Sequence, residues 1–292
     1  MCRKLLLLSL VISSALSTGA FSQNHLDPNP LDPSKDPDID MFMGNWQESI
    51  PFNTHGSLTE RAVLTKLEPG DDPLKPHKKG AVLIDINRFS RAHLDAYAST
   101  TPVTLKGEQE VLYFTSGKGN IKAGKQTAEV RDGIFVLIPE GLEFTITNTD
   151  KELLILYLVN EPVPDGFVPK KEMIVRDEKN MPFRDDGFLK THWSHNGKNI
   201  FNRQRDGLAT LSAITLITFN AMTIGQPHSH GFDLEEIWTV IEGTNVAFLG
   251  KEIRWQHPGT AYKIPQTNFT PHSNINVTEK PIKFLYIAVR PQ

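Results

Sequence analysis

The sequence predicts an all-β protein in which two β-modules of sandwich or barrel type stand in tandem. From about Ala81 onward, short runs rich in β-branched and aromatic residues follow one another: "GAVLIDI", "EVLYFTSG", "GIFVLIP", "EFTITN" and "LLILYLV". Gly, Pro, Asn and Asp separate them, which is the punctuation of strands and turns. A second series of the same character follows, with "LSAITLITF", "EIWTVIEG", "VAFLG", "AYKIP" and "FLYIAV". Long helical periodicity is missing, which argues against alternating β-α units and for antiparallel β architecture.

Taken in chain order, the first 22 residues read as a secretory signal peptide. Arg3 and Lys4 form a basic start, Leu5 to Leu16 an apolar run, and Ala20-Phe21-Ser22 a small-x-small cleavage step. The run is shorter than the roughly 20 residues that span a bilayer, so no membrane span is expected in the mature protein, and a secreted or periplasmic location is. Cys2, the single cysteine, leaves with the peptide. The mature chain then has neither a disulfide nor a thiolate ligand. Residues 23–45, with repeated Asp-Pro pairs, have the composition of an extended tether. Residues 46–160 carry the first β-module, and residues 207–292 the second.

Between the modules, residues 161–206 are too long for a turn. Their segment "THWSHNGKNIF" holds His192, Trp193 and His195, with Lys198, Arg203 and Arg205 close by. Two readings stand: a surface segment with a docked tryptophan, or a lid that brings an acid/base histidine (His192 or His195) and a gripping Arg203 to a site in the second module. The composition, 39% hydrophobic and 22% charged with a formal net charge of −3, contains no long basic block. Nucleic acid is therefore not an expected partner, and a small molecule is.

The two modules are one unit repeated. Glu110, Gly117, Gly124, Lys125, Gly133 and Pro139 recur as Glu236, Gly243, Gly250, Lys251, Gly259 and Pro265, each pair 126 positions apart. Past the proline the second copy has two extra residues, so Phe144 and Asn148 correspond to His272 and Asn276.

Over roughly residues 80 to 290 the chain resembles the cupin superfamily. The first motif of that family is matched by His228-Ser229-His230, Glu236 and Gly243, and the second by Gly259, Pro265, His272 and Asn276. Five residues separate His230 from Glu236, one more than is usual; Thr267 replaces the second-motif glycine, and His272 comes two positions late. The first copy keeps the second motif's spacing from Gly133 to Asn148 but has Phe144 where the histidine belongs. The resemblance implies a bicupin of two tandem double-stranded β-helix (jelly-roll) barrels, the first degenerate and metal-free, the second holding a divalent transition metal (Mn, Fe, Ni, Co, Cu or Zn) on His228, His230, Glu236 and His272. Alternation along a strand puts His228 and His230 on one side. Of the neighbouring Glu235 and Glu236, the repeat register favours Glu236, with Glu235 facing outward into solvent. Trp238 and Tyr262, on strands beside these ligands, are either cavity-lining substrate contacts or ordinary packing.

His25, His55, His77 and His93 lack a spaced partner and read as surface or first-module structure. Glu110 has no histidine beside it in sequence. The functions expected are a metal-dependent enzyme acting on a sugar, sugar acid or hydroxy acid, of isomerase, lyase or dioxygenase type, or a non-catalytic binding or storage cupin whose metal is structural. Pairing of barrels through their strands, giving a homodimer, is a further implication of the resemblance.

Overall fold

The computed structural model describes residues 36–184 and 193–290. The segment expected to be a signal peptide, the first part of the expected tether and His192 lie outside the described residues. The regular structure of the described residues is almost entirely antiparallel sheet, as the alternation and turn chemistry predict.

The first barrel has a large sheet in the spatial order Ile174–Asp177, Ile134–Ile138, Glu108–Ser116, Leu154–Pro162, Arg88–Leu94, Leu58–Lys66 and Phe52–Thr54, faced by a smaller one of Phe144–Asn148, Lys118–Ala123 and Gln126–Arg131. The second repeats the plan. Its large sheet runs Met43–Asn45, Thr260–Lys263, Glu235–Glu242, Ile282–Val289, Ala213–Phe219 and His195–Asn202, and its smaller one Thr223–Ile224, His272–Asn276, Asn245–Leu249 and Glu252–Gln256. The repeated glycines mark the same turns in both copies. Gly117 and Gly243 have φ of 81° and 89°, and Gly133 and Gly259 have φ of 84° and 88°, values at which a Cβ would be strained.

Two segments do more than the sequence suggests. Met43–Asn45, placed at the end of the tether, pairs with Thr260–Lys263 and closes the edge of the second barrel's large sheet, Met43 opposite Tyr262. Ile174–Asp177, in the connector, pairs with Ile134–Ile138 at the equivalent edge of the first barrel. Each barrel thus receives an edge strand from the segment preceding the other. The connector also supplies His195–Asn202, the opposite edge of the second barrel, paired to Ala213–Phe219. Covering an exposed sheet edge satisfies its backbone groups, and that is why these short pieces of tether and connector become strand here.

Alternation along the strands divides the apolar residues into three cores. Leu58, Leu112, Phe114, Leu156 and Leu158 fill the first barrel. Ile217, Phe219, Trp238, Tyr262 and Phe284 fill the second. The opposite faces of the two large sheets pack on each other through Phe89, Val111, Tyr113, Phe135 and Tyr157 from one side and Ile214, Leu216, Ile237, Leu285 and Ile287 from the other. Phe135 meets Phe201 edge-on across this interface, ring centres 6.5 Å apart.

Two buried glutamates, one from each barrel, bridge the interface. Glu235 accepts from the backbone N–H groups of Ile84 (2.9 Å) and Asp85 (2.8 Å) in the first barrel, and Lys263 Nζ lies 3.8 Å away. Glu161 of the first barrel accepts from the N–H groups of Ala209, Thr210 and Leu211 in the second, at 3.1, 2.7 and 2.5 Å. Glu235 therefore points away from its own barrel's interior as expected, but not into solvent: it is 1% exposed. The outward face of its strand is the inter-barrel face, which the sequence of one strand does not reveal.

Candidate metal centre

Four ionisable side chains converge inside the second barrel. Glu236 lies near the start of Glu235–Glu242, on the side that also carries the buried Trp238 and Val240. His272 opens the strand His272–Asn276 of the smaller sheet. His228, in the loop between Thr223–Ile224 and Glu235–Glu242, makes an antiparallel bridge with His272. The His228 N–H donates to the His272 carbonyl at 3.2 Å, and the His272 N–H donates back at 2.8 Å. The pair holds both rings on one side, with centres 4.2 Å apart. His230, two residues on, falls on the same side, 4.8 Å from the His228 ring and 5.0 Å from the His272 ring.

His230 Nε2 lies 3.0 Å from one Glu236 oxygen and His272 Nε2 3.4 Å from the other. One donor atom from each of the four residues lies within 4.8 Å of the other three. Donors that each bind one ion at about 2.1 Å stand about 3–4 Å from one another, so the four side chains would need only a small inward adjustment to hold a divalent metal. All four residues are buried, Glu236 and His272 at 1% exposure.

Two of the four donors, His228 and Glu236, are oriented from behind. His228 Nδ1 lies 2.9 Å from the Gln226 carbonyl; a carbonyl only accepts, so Nδ1 carries the proton and Nε2 the lone pair. The indole Nε1–H of Trp238 donates to one Glu236 oxygen at 2.5 Å, and the hydroxyl of Tyr286 donates to the other at 3.2 Å. Burial would raise the Glu236 carboxyl, yet the charge and hydrogen bond of His230, followed by His272, hold it well below the ordinary carboxylate range. Burial and then the neighbouring His228 push His272 down to about 3. Near neutral pH the cluster thus offers a carboxylate and a neutral His272 imidazole, the protonation states that metal ligation needs. His272 Nδ1 is buried without a hydrogen-bond partner. A ring that bonds elsewhere only weakly fits a ligand role better than a packing role.

The other sequence candidates fall elsewhere. Trp238 is 1% exposed and serves the carboxylate instead of lining an opening. Tyr262 is fully buried, and its hydroxyl donates to Asn274 Oδ1 at 3.0 Å. Arg203 sits in the short helix Arg203–Asp206, where its guanidinium donates to the carbonyls of Leu211 (3.1 Å), Arg290 (2.8 Å) and Thr210; it ties down the chain entering the barrel. His195 does enter the second barrel, where it stacks on Phe219 at 4.3 Å and meets Trp238 edge-on at 5.4 Å. Asn276 is turned inward, as the motif implies. Its amide donates to the carbonyls of Asn220 and Lys280 at 3.0 and 2.8 Å. Asn148 does the same in the first barrel, donating to Leu94, Asp95 and Glu152, which explains why both copies keep the asparagine while only one keeps the histidines.

Sequence reading missed two groups. Tyr286 had no motif to announce it; only its register opposite Trp238 places it beside Glu236. The second is His55, set aside for want of a spaced partner. Its Nε2 lies 3.2 Å from Glu110 Oε2, so Glu110 does have a histidine, delivered from before the repeat begins.

No family model and no curated protein matches the sequence. Solved structures match it across most of its length. AerE from Microcystis aeruginosa has a TM-score of 0.62 at 12% identity, over 86% of this chain and 100% of its own. An oxalate decarboxylase from Lactobacillus farciminis, solved as a formate complex, has a TM-score of 0.60 at 10% identity, over 91% and 87%. The bacterial pirin YhhW from Escherichia coli, solved with nickel(II), has a TM-score of 0.58 at 12% identity, over 86% and 99%. These likenesses are to the fold, and with the sheet order they give this chain the architecture of two tandem cupin β-barrels.

Proposed function

We propose that the protein is an exported metal-dependent enzyme whose second barrel binds a divalent transition metal on His228, His230, Glu236 and His272 and acts on a small polar molecule such as a sugar, sugar acid or hydroxy acid. The convergence of three imidazoles and one carboxylate within 4.8 Å in a buried site is the observation that carries the reading. Nitrogen-rich donor sets with one carboxylate and no sulfur suit Mn, Fe, Co, Ni, Cu or Zn. Bound there, such a metal supplies Lewis acidity to vicinal oxygens, or a site for dioxygen. The chain's own part is preorganisation: Trp238 and Tyr286 fix the carboxylate, the Gln226 carbonyl sets the His228 tautomer, and the packed interior excludes water. In this reading Arg203 anchors the chain entering the barrel, Tyr262 packs in its interior against Asn274, and His195 stands against the Trp238 ring.

Two neighbours support the chemistry by analogy, one solved with formate and the other with nickel(II). The test is turnover of a panel of sugar acids, hydroxy acids and diols followed by NMR, with wild type and His228→Ala compared. Turnover by wild type that is lost in a folded His228→Ala variant is expected; no turnover of any member by metal-loaded wild type contradicts it. One observation favours a second reading, a non-catalytic module with a structural metal: exposures of only 6% and 7% at His228 and His230 leave the centre a narrow approach. That reading requires metal removal to lower the melting temperature in full while no panel member shifts in the presence of metal.

A further inference from the structure

The first barrel also has a charged interior, at the same register. Alternation along Glu108–Ser116 puts Glu110 on the inner side with Leu112 and Phe114, as Glu236 lies with Trp238 and Val240 in the second barrel. Glu110 and a second carboxylate, Glu60, are both fully buried, and the His55 side chain beside them is 4% exposed. Between the two carboxylates lies Arg88. Its guanidinium donates to Glu110 Oε1 at 2.8 Å and to Glu60 at 3.1 and 3.5 Å. His55 Nε2 stands 3.2 Å from the other Glu110 oxygen, and His55 Nδ1 2.8 Å from Thr54 Oγ1, which in turn bonds Glu60. The Asn160 amide donates to Glu110 at 3.1 Å.

The corresponding places in the second barrel are small. Asn160 faces Glu110 across the sheet as Ala288 faces Glu236. Arg88 pairs with Asn160 as Ala213 pairs with Ala288. A cation and an amide are thus built into the wall of one barrel where the other has two methyl groups and three histidines that converge on the carboxylate. A guanidinium carries the one positive charge that two buried carboxylates and an imidazole need, and it does so with fixed geometry.

We propose that the first barrel contains a second cation site, formed by His55, Glu60 and Glu110, in which the Arg88 guanidinium occupies the place of a metal, so that removing Arg88 opens the site to a divalent transition metal. One imidazole and two carboxylates are a donor set for Mn, Fe or Zn. Without Arg88 the two carboxylates are buried with too little positive charge, a state that metal binding relieves. The first barrel is then a closed counterpart of the second, not a barrel that merely lacks ligands.

The test measures bound Mn and Zn per chain by plasma mass spectrometry. His272→Ala alone reads the second barrel, so the failure of that site is seen separately. In the His272→Ala background, Arg88→Ala is expected to gain about one equivalent of metal with native circular dichroism, and Arg88→Lys to gain none. A folded Arg88→Ala/His272→Ala protein that stays metal-free at millimolar Mn and Zn overturns the proposal. Because Arg88→Ala strains the barrel, the reciprocal change Ala213→Arg in otherwise wild-type protein gives an independent reading. It is expected to reduce second-barrel metal by at least tenfold, and full metal retention there also overturns the equivalence of guanidinium and metal.

Discussion

Replacing Trp238 by Phe removes one atom that matters to the site and leaves most of the packing. The indole is 1% exposed and touches Phe284, Tyr286 and His195 with ring centres 5.5, 5.0 and 5.4 Å away, contacts that a phenyl ring largely keeps. What disappears is the Nε1–H bond to Glu236, 2.5 Å long, made to a carboxylate held ionised in a buried setting. Buried hydrogen bonds to charged groups contribute about 1.5–3 kcal/mol. Tyr286 still donates to the other oxygen, so the carboxylate loses its orientation and not its charge. Partners behind a ligand of this kind are worth about 10- to 100-fold in metal affinity. Trp238→Phe is therefore expected to weaken metal binding by that factor and to lower the stability of the metal-free protein by about 1–3 kcal/mol, part of it from the vacated indole volume. Competition against a chelator of known affinity gives the first quantity and urea denaturation the second. Affinity within twofold of wild type, together with the stability loss, would show that Trp238 is only a packing residue and that the account of how Glu236 is held is wrong.

Glu235→Ala strips the Ile84 and Asp85 N–H groups and Lys263 of their shared partner, and it is expected to cost about 3–5 kcal/mol by chemical denaturation while leaving metal content intact. Glu236→Ala, one residue on, is expected to abolish metal binding. Asn276→Ala removes the amide donor from the Asn220 and Lys280 carbonyls and should lose about 1–2 kcal/mol with metal stoichiometry unchanged, as read by thermal melts and metal analysis. For His55, burial opposes protonation, but the hydrogen bond and charge of Glu110 override it and hold the folded-state value above 6.5. A histidine raised in this way contributes stability that is complete below about pH 6.5 and fades as pH rises through the folded value. His55→Gln should flatten the decline of stability between pH 6 and pH 9, and an unchanged slope in urea titrations across that range would refute the assignment.

The tandem β architecture was legible because strands and turns write themselves locally, and the constant spacing of Glu110/Glu236 and the paired glycines gave the repeat directly. The four converging residues were legible for a related reason: His228-x-His230 and Glu236 lie close in sequence, and His272 matches Phe144 once the two extra residues after Pro265 are allowed for. What sequence could not supply was which face of a strand meets what. Glu235 faces outward, as alternation requires, yet outward is the other barrel. Trp238 and Tyr262 face inward as expected, but inward is a packed core and not an opening. The edge strands Met43–Asn45 and Ile174–Asp177 are decided by vacant sheet edges far along the chain, not by their own propensity. His55 reaches Glu110 through a hairpin turn in which it adopts φ of 51°, a conformation no spacing rule announces.

The central claim is that His228, His230, Glu236 and His272 form one metal site, and it is met most directly by metal analysis of the purified protein beside the His272→Ala variant. The account predicts about one divalent transition metal per wild-type chain, and in a variant of native circular dichroism a loss of at least nine-tenths of it. Wild-type protein that takes up no metal, or a His272→Ala protein that keeps its metal in full, would contradict it.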